Sequence, residues 1–274
     1  MPRILALSSQ VARGHVGLSA MVPALHAIGH EVTALPTVVL SNHPGHPASA
    51  GTRIPAETLG GMLDALWRNG WMDEVAAVVT GYLPAPDHVE LAVATLRRLG
   101  ERRRPLYLCD PVLGDDAPGI YIDPLAAALI RDRLAPLADV LTPNRFETGW
   151  LTGSRPETRD EVAGAASRLA GSRLVAVTSA TAGDGRIENL LVHGRSRLRA
   201  AVPWIAGVPH GTGDLFAAFL LGHLLDGQGE SEAFACAVAG VDLVVRASAG
   251  RDELDLVSTV GAAARAAACP LEPV

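Results

Sequence analysis

Short apolar runs of β-type residues alternate with amphipathic stretches along nearly the whole chain, and no other feature constrains the fold as much. Arg3 to Leu7 reads as a buried strand, and Leu18 to Ile28 as a helix with Pro23 in its first turns and Gly29 as its stop. Glu31 to Leu40 is a second strand. Thr52 to Asn69 holds a helix starting near Pro55, and Ala76 to Thr80 is a short strand closed by Gly81. Asp87 to Leu99 is helical, and Leu106 to Cys109 is a strand ending at Asp110-Pro111. A helix from Pro124, a strand at Val140 to Thr142, helices from Arg145 and Arg159, and the strand Leu174 to Thr178 follow. Such alternation predicts βαβ units in one α/β domain spanning 1–274: a three-layer α/β/α sandwich with a mostly parallel central sheet and helices on both faces.

The rhythm breaks once, between Arg186 and Val202. Two apolar pieces there flank His193-Gly194-Arg195-Ser196, the pattern of a late β-hairpin, and the chain beyond is almost wholly helical. In an open parallel sheet the ligand binds beyond the carboxyl ends of the strands. That directs attention to Ser9–Gly17, Ser41–Gly45, Gly81-Tyr82, Asp110–Asp116, Thr142–Glu147 and Thr178-Ser179.

Composition removes several mechanisms. All 23 Lys+Arg residues are arginine. Without lysine, a P-loop nucleotide site, a protein-kinase site and a pyridoxal-phosphate Schiff base are each excluded. The net charge of -6 predicts no nucleic-acid or anionic-membrane partner unless a local basic stripe exists. The one candidate run, Arg97, Arg98 and Arg102 to Arg104, sits at an expected helix end, where it complements the dipole. Cys109, Cys236 and Cys269 are far apart and show neither zinc nor disulfide spacing, which fits a reducing, cytoplasmic setting. No apolar run is long enough for a secretory leader or a membrane span.

The sharpest local signal is His210-Gly211-Thr212-Gly213-Asp214, which opens the apolar run LFAAFLLGHLL. Glycines that allow close approach, together with a helix N-terminus, make an anion site. Asp214 in the first turn has two readings. It caps the helix and complements its dipole, or it accepts a hydroxyl proton while the amides of Gly211 to Gly213 hold a transferring phosphoryl group. Asp110 and Asp115, around a Pro-Val-Leu-Gly turn, and Asn144 and Glu147, after Thr142-Pro143, supply oxygen ligands of the kind a divalent cation on a nucleotide requires. With no lysine present, the metal, backbone amides and the hydroxyls of Thr178, Ser179 and Thr212 are left to carry phosphate charge.

These motifs resemble those of the pyridoxal kinases of the ribokinase-like superfamily. GTGD with LFAAFLL is similar to the family's anion-hole and base signature, CDPVLGD to its second motif and TPNRFE to its third; VTS at Val177 to Ser179 matches the nucleotide-side strand end. In the N-terminal half, SSQVARGHVG, TVVLSNH and TGYL resemble the family's first three strand-end motifs, so the likeness runs from about Ser9 to Leu221. It implies ATP-dependent phosphorylation of the 5′-hydroxymethyl group of pyridoxal, with pyridoxine and pyridoxamine as further candidate substrates, in vitamin B6 salvage, with Mg2+, in a homodimer. Under it Asp214 is the base, and Gly211, Thr212 and Gly213 form the anion hole. Ser9, Val16, Val39, His43, Tyr82 and Tyr121 contact the substrate. Asp110, Asn144, Glu147, Thr178, Ser179 and Thr212 lie on the nucleotide side, and Asp115, Thr142 and Glu147 serve the cation.

Three positions depart from the family pattern. Leu18 stands where Asn is usual, Leu40 where an aromatic is common, and Pro44 where Thr usually follows SNH. Pro44 removes a donor and a hydroxyl together, which predicts weaker affinity for pyridoxal. A hydroxymethylpyrimidine or other small-alcohol kinase and a non-catalytic ligand-binding relative are the alternatives. Trp67, Trp71 and Trp150 are read as helix packing residues, and Asp242 and Asp252 to Asp255 as solvated charge.

Overall fold

Successive residues of the first strand belong to different cores. The structure is a computed structural model that describes residues 2–171 and 173–274. In β1 (Arg3–Val11), Leu5 and Leu7 pack into one apolar cluster and Ile4 and Ala6 into another, all at most 1% exposed. The pleat sends neighbouring side chains to opposite faces, so a strand covered on both faces must be apolar throughout.

The chain continues through α1 (Leu18–Ile28), β2 (Glu31–Leu40), β3 (Gly51–Arg53), α2 (Ala56–Arg68), β4 (Val75–Thr80), α3 (Pro86–Gly100) and β5 (Leu106–Cys109). A small ribbon, β6 (Gly114–Asp115) with β7 (Gly119–Ile120), precedes α4 (Pro124–Leu129), β8 (Val140–Leu141), α5 (Arg145–Thr152) and α6 (Arg159–Ala170). Last come β9 (Leu174–Gly183), β10 (Arg186–His193), β11 (Ser196–Pro203), α7 (Thr212–Leu225), α8 (Glu230–Ala247), α9 (Leu256–Ala263) and β12 (Glu272–Pro273).

The main sheet has the order β12-β11-β10-β9-β8-β5-β4-β1-β2-β3. Its six central strands, β9 through β2, are parallel, and β3, β10, β11 and β12 join the two ends through antiparallel pairings. Helices α1, α7, α8 and α9 bury their apolar residues on one face, and α2, α3, α4 and α6 on the other. The three-layer sandwich expected from the alternation is therefore present. From β1 the chain winds to β2 on one side and to β4, β5, β8 and β9 on the other, which places the topological switch point at the carboxyl ends of β1 and β4.

Several boundaries differ from expectation. β1 continues to Val11, so Ser9 lies within a strand rather than in the turn after it. β9 runs past Thr178 to Gly183, with Ser179 at φ +49 where its pairing to β10 shifts register; the positive φ marks a bulge that lets the strand continue. Asp184-Gly185, at φ +52 and +68, forms a second tight hairpin in addition to the expected one at Gly194. Pro23 is the sixth residue of α1 and leaves the Ser19 carbonyl without its helical donor; His15 Nδ1 lies 3.4 Å from that oxygen.

Trp71 is 50% exposed in a 3-10 turn, because Gly70 at φ +77 breaks the helical face that carries Trp67. Asp242 is not solvated: its side chain is 17% exposed, one oxygen accepts Arg246 Nε at 2.8 Å and the other is buried. Asp255, 15% exposed, pairs with Arg251. In the arginine run, Arg98 pairs with Asp64 and lies over the Trp67 ring, Arg102 pairs with Asp73 and Arg104 with Asp139.

Candidate active site

Tyr82 is set at the switch point by its backbone. Its N–H donates to Ser8 Oγ at 3.1 Å and its carbonyl accepts Thr37 Oγ1–H at 2.7 Å, which fixes the half-buried ring against the core. Beside it, Gly17 at φ +55 and ψ -133 turns the chain into α1 so closely under Ser9 that a methyl group would strike the Ser9 carbonyl oxygen and Oγ. Val16 is 6% exposed and Val39 38% exposed. The Gly17 amide also lies close enough to Asp214 to favour its charged form.

Gly211 starts α7 at φ +105, packed onto the His15 carbonyl oxygen with no room for a side chain. The first amides of a 14-residue helix, at Thr212, Gly213 and Asp214, lack intrahelical acceptors, the arrangement that suits an anion. Desolvation raises the Asp214 carboxyl to about 6, against the stabilising Gly17 amide. Asp110, 6% exposed, is pushed up to about 8 by burial and then by the charge of Asp214, while the Thr142 hydroxyl donated to its Oδ1 at 2.9 Å works the other way.

Glu147 and Asn144 join the loops after β5 and β8. Glu147 Oε2 accepts the Asn144 N–H at 2.8 Å and Asn144 Oδ1 accepts the Glu147 N–H at 2.8 Å, a capping box at the start of α5. Glu147 Oε1 takes the Leu113 N–H at 2.9 Å, and Asn144 Nδ2 donates to the Gly114 carbonyl at 2.9 Å. Burial and Asp110 raise the Glu147 carboxyl well above the usual range, opposed by backbone amides at Asn144, Leu113 and Gly114. With each oxygen bonded to the backbone, Glu147 holds the Pro111–Gly114 turn in place. Asp115 is exposed at the tip of the β6–β7 ribbon. Tyr121, 45% exposed, has its phenol raised by desolvation and then by Glu147, Asp110, Asp214 and Asp115, which places it among the same carboxylates.

A cavity of about 350 Å³ opens beside the α7 N-terminus. Thr178, Ser179, Asn189, Thr212 and Gly213 give it a polar lining, and Ile187, Phe216, Val238, Val241 and Val245 an apolar one. Thr178 N–H donates to the Pro143 carbonyl at 2.9 Å, and Ser179 N–H to Asn189 Oδ1 at 3.1 Å, so the bulge in β9 is held from both sides. This division suits a molecule with a planar apolar body and a charged tail.

The structure thus brings Asp110, Thr142, Asn144, Glu147, Tyr121 and Asp214 together, joins Asn144 to Thr178 by a β-bridge, and lines a cavity at the helix start with Thr178, Ser179 and Thr212. Among the described residues no group of three His, Cys, Asp or Glu side chains is arranged to enclose a metal ion. Of the residues expected at the cation, Thr142 donates its hydroxyl to Asp110 and Glu147 has both oxygens on backbone amides, so Asp115 and, in addition to the expected set, Asp110 are left as the carboxylates suited to Mg2+, which typically takes one or two carboxylates plus phosphate oxygens. Reading the sequence assigned no part to Gly17, His15 or His210. Gly17 stood inside a quoted motif, but its approach to Ser9 and Asp214 is visible only in three dimensions.

The profile of the family described as Phosphomethylpyrimidine kinase matches residues 14–255. The chain is 33% identical to a protein of Corynebacterium diphtheriae named pyridoxal kinase PdxY, over 93% of this chain and 92% of that protein. It is 39% identical to a pyridoxine/pyridoxal/pyridoxamine kinase of Bordetella bronchiseptica, over 84% and 83%. Its structure superposes on a pyridoxal kinase of Leishmania donovani, solved in complex with ADP and pyridoxamine, with a TM-score of 0.92 and 27% identity over 100% of each chain.

Proposed function

From the membership of this chain in the phosphomethylpyrimidine kinase family, with its ribokinase-like fold, we infer an ATP-dependent pyridoxal kinase of vitamin B6 salvage. The observation that carries the reading is Asp214 at the α7 N-terminus, its carboxyl raised to about 6 beside a buried acidic corner, in a chain whose relatives are named for this chemistry.

In the proposed reaction the substrate's 5′-hydroxyl oxygen bonds to the γ-phosphorus of ATP. The bond from that phosphorus to the β–γ bridging oxygen breaks, and ADP leaves with the electron pair. Asp214 takes the hydroxyl proton, and a base titrating near working pH is suited to that task. The amides from Gly211 to Gly213 face the charge on the transferring group, as preorganised donors with no lysine to assist. Bound Mg2+ supplies charge neutralisation on the phosphate oxygens, and Asp110 and Asp115 are its proposed holders, with Thr142 orienting Asp110. Glu147 and Asn144 keep that turn in register. Thr178, Ser179 and Thr212 line the proposed nucleotide side. Ser9, Val16, Val39, His43, Tyr82 and Tyr121 surround the proposed alcohol. The proposal extends to one kinase domain over 1–274, a cytoplasmic homodimer, and no nucleic-acid partner; among the described residues no helix is long and apolar enough to cross a membrane.

The test is ADP release on pyridoxal, pyridoxine, pyridoxamine and hydroxymethylpyrimidine at equal concentration, the last included because of the family's description. Fastest turnover on pyridoxal is expected. Turnover on hydroxymethylpyrimidine alone overturns the substrate assignment, and none on any alcohol overturns the kinase reading.

A further inference from the structure

The segment from Ser41 to Ala50 is a small body in itself. Ser41 N–H donates to the Ala50 carbonyl at 2.7 Å, and Ala50 N–H to Ser41 Oγ at 3.0 Å, joining its ends. Asn42 Nδ2 donates across it to the His43 and Ala48 carbonyls at 3.1 and 2.9 Å. Gly45 N–H donates to His43 Nδ1 at 3.0 Å, so the neutral His43 ring carries its proton on Nε2. A loop bonded internally in this way shifts as a unit.

Two side-chain contacts tie that unit to its surroundings. His46 Nε2 lies 3.3 Å from Glu253 Oε1. The His43 ring stacks on the ring of His210, with centroids 3.8 Å apart and planes at 23°. Burial, then His210 and His46, lowers His43 to about 4, so its ring is neutral over the working range and free of charge repulsion in the stack.

His210 belongs to both sites. It precedes Gly211, whose close packing on the His15 carbonyl leaves the backbone there little freedom, and it lines the cavity that also contains Thr178 and Thr212. His210 thus stands between that cavity and the His43 ring.

We propose that His210 is a positioning residue that links occupancy of the nucleotide cavity to the placement of the His43 loop, so that nucleotide and alcohol bind with positive coupling. A nucleotide that restrains His210 orders the loop before the alcohol arrives, and the ordering cost is then absent from the second step. Naming the alcohol as pyridoxal rests on the kinase reading; the coupling does not.

The test is calorimetric titration of pyridoxal into the protein alone and into the protein saturated with Mg2+ and a non-hydrolysable ATP analogue, for wild type, His210→Ala and His210→Phe. Wild type is expected to bind pyridoxal about five- to tenfold tighter when the cavity is filled, the scale of one aromatic stack. His210→Ala loses most of that gain, and His210→Phe restores it. Equal gains in wild type and His210→Ala, no gain in wild type, or no restoration by Phe overturns the proposal. Should His210→Ala fold poorly, His210→Asn against His210→Phe provides the same comparison. Coupling without ADP release on any of the four alcohols would reject the kinase reading and keep this one; ADP release without coupling would do the reverse.

Discussion

Asp110 and Asp214 face one another between the end of β5 and the start of α7, and burial followed by the charge of Asp214 holds the Asp110 carboxyl at about 8. Both groups lie above the value of about 4 that an unfolded aspartate shows. The folded protein therefore binds more protons than the unfolded chain between about pH 4 and pH 8, and stability from these groups is present at the acid end and lost as pH rises through about 6 and then about 8. Metal-free protein should show a melting temperature that falls between pH 5 and pH 8.5, recovers with Mg2+ at the upper end, and falls less steeply in Asp110→Asn. A melting temperature that rises across the same interval would contradict this electrostatic picture. Glu188, held at about 2 first by its hydrogen bond from Arg159, titrates outside that window.

Asp214→Asn keeps the shape of the side chain and removes its basicity. Steady-state kinetics should show kcat lowered roughly 10²- to 10⁴-fold, the usual contribution of a positioned base. Calorimetry should show nucleotide affinity within about threefold of wild type. A variant turning over at near wild-type rate would remove Asp214 from the proton-transfer step and leave it as a helix-dipole residue.

Gly211→Ala places a methyl group against the His15 carbonyl oxygen at a φ of +105. The expected cost is about 1–3 kcal/mol of stability, read by denaturant unfolding. The larger effect should be on kcat, because the α7 amides would be displaced from the phosphoryl position. Wild-type kcat in a folded Gly211→Ala protein would show that the helix start does not hold that group.

A chain with no lysine offers an aldehyde product no side-chain amine. Incubation with excess pyridoxal 5′-phosphate, borohydride reduction and intact mass measurement should give at most one adduct, at the α-amine. A second adduct would mean that another group traps the product.

Fold class was legible in the sequence because the strand and helix periods leave direct marks. The runs at Glu31–Leu40 and Leu106–Cys109 and the helix Leu18–Ile28 fall at the boundaries the apolar pattern indicates. The edge strands β3 and β12 and the separate ribbon β6–β7 are built of pieces two or three residues long and carry no such mark. The carboxylate cluster was legible as residue types: Asp110, Asp115, Asn144, Glu147 and Asp214 all follow strand ends or open a helix, where a parallel sheet presents ligands.

What the sequence determined by itself was the alternation, the strand-end chemistry and, through the missing lysines, the means by which phosphate can be held. Tertiary structure alone decided the working relations among those residues. Asp214 gains its raised proton affinity from burial against the β1–α1 turn, Glu147 has its oxygens bonded by backbone from two different loops, and His43 meets His210 only after the sheet has brought the two loops to one rim. The physical reason is that propensity and pleat periodicity act over a few neighbouring residues, whereas desolvation, charge coupling and ring stacking depend on which distant segments the packed core brings together.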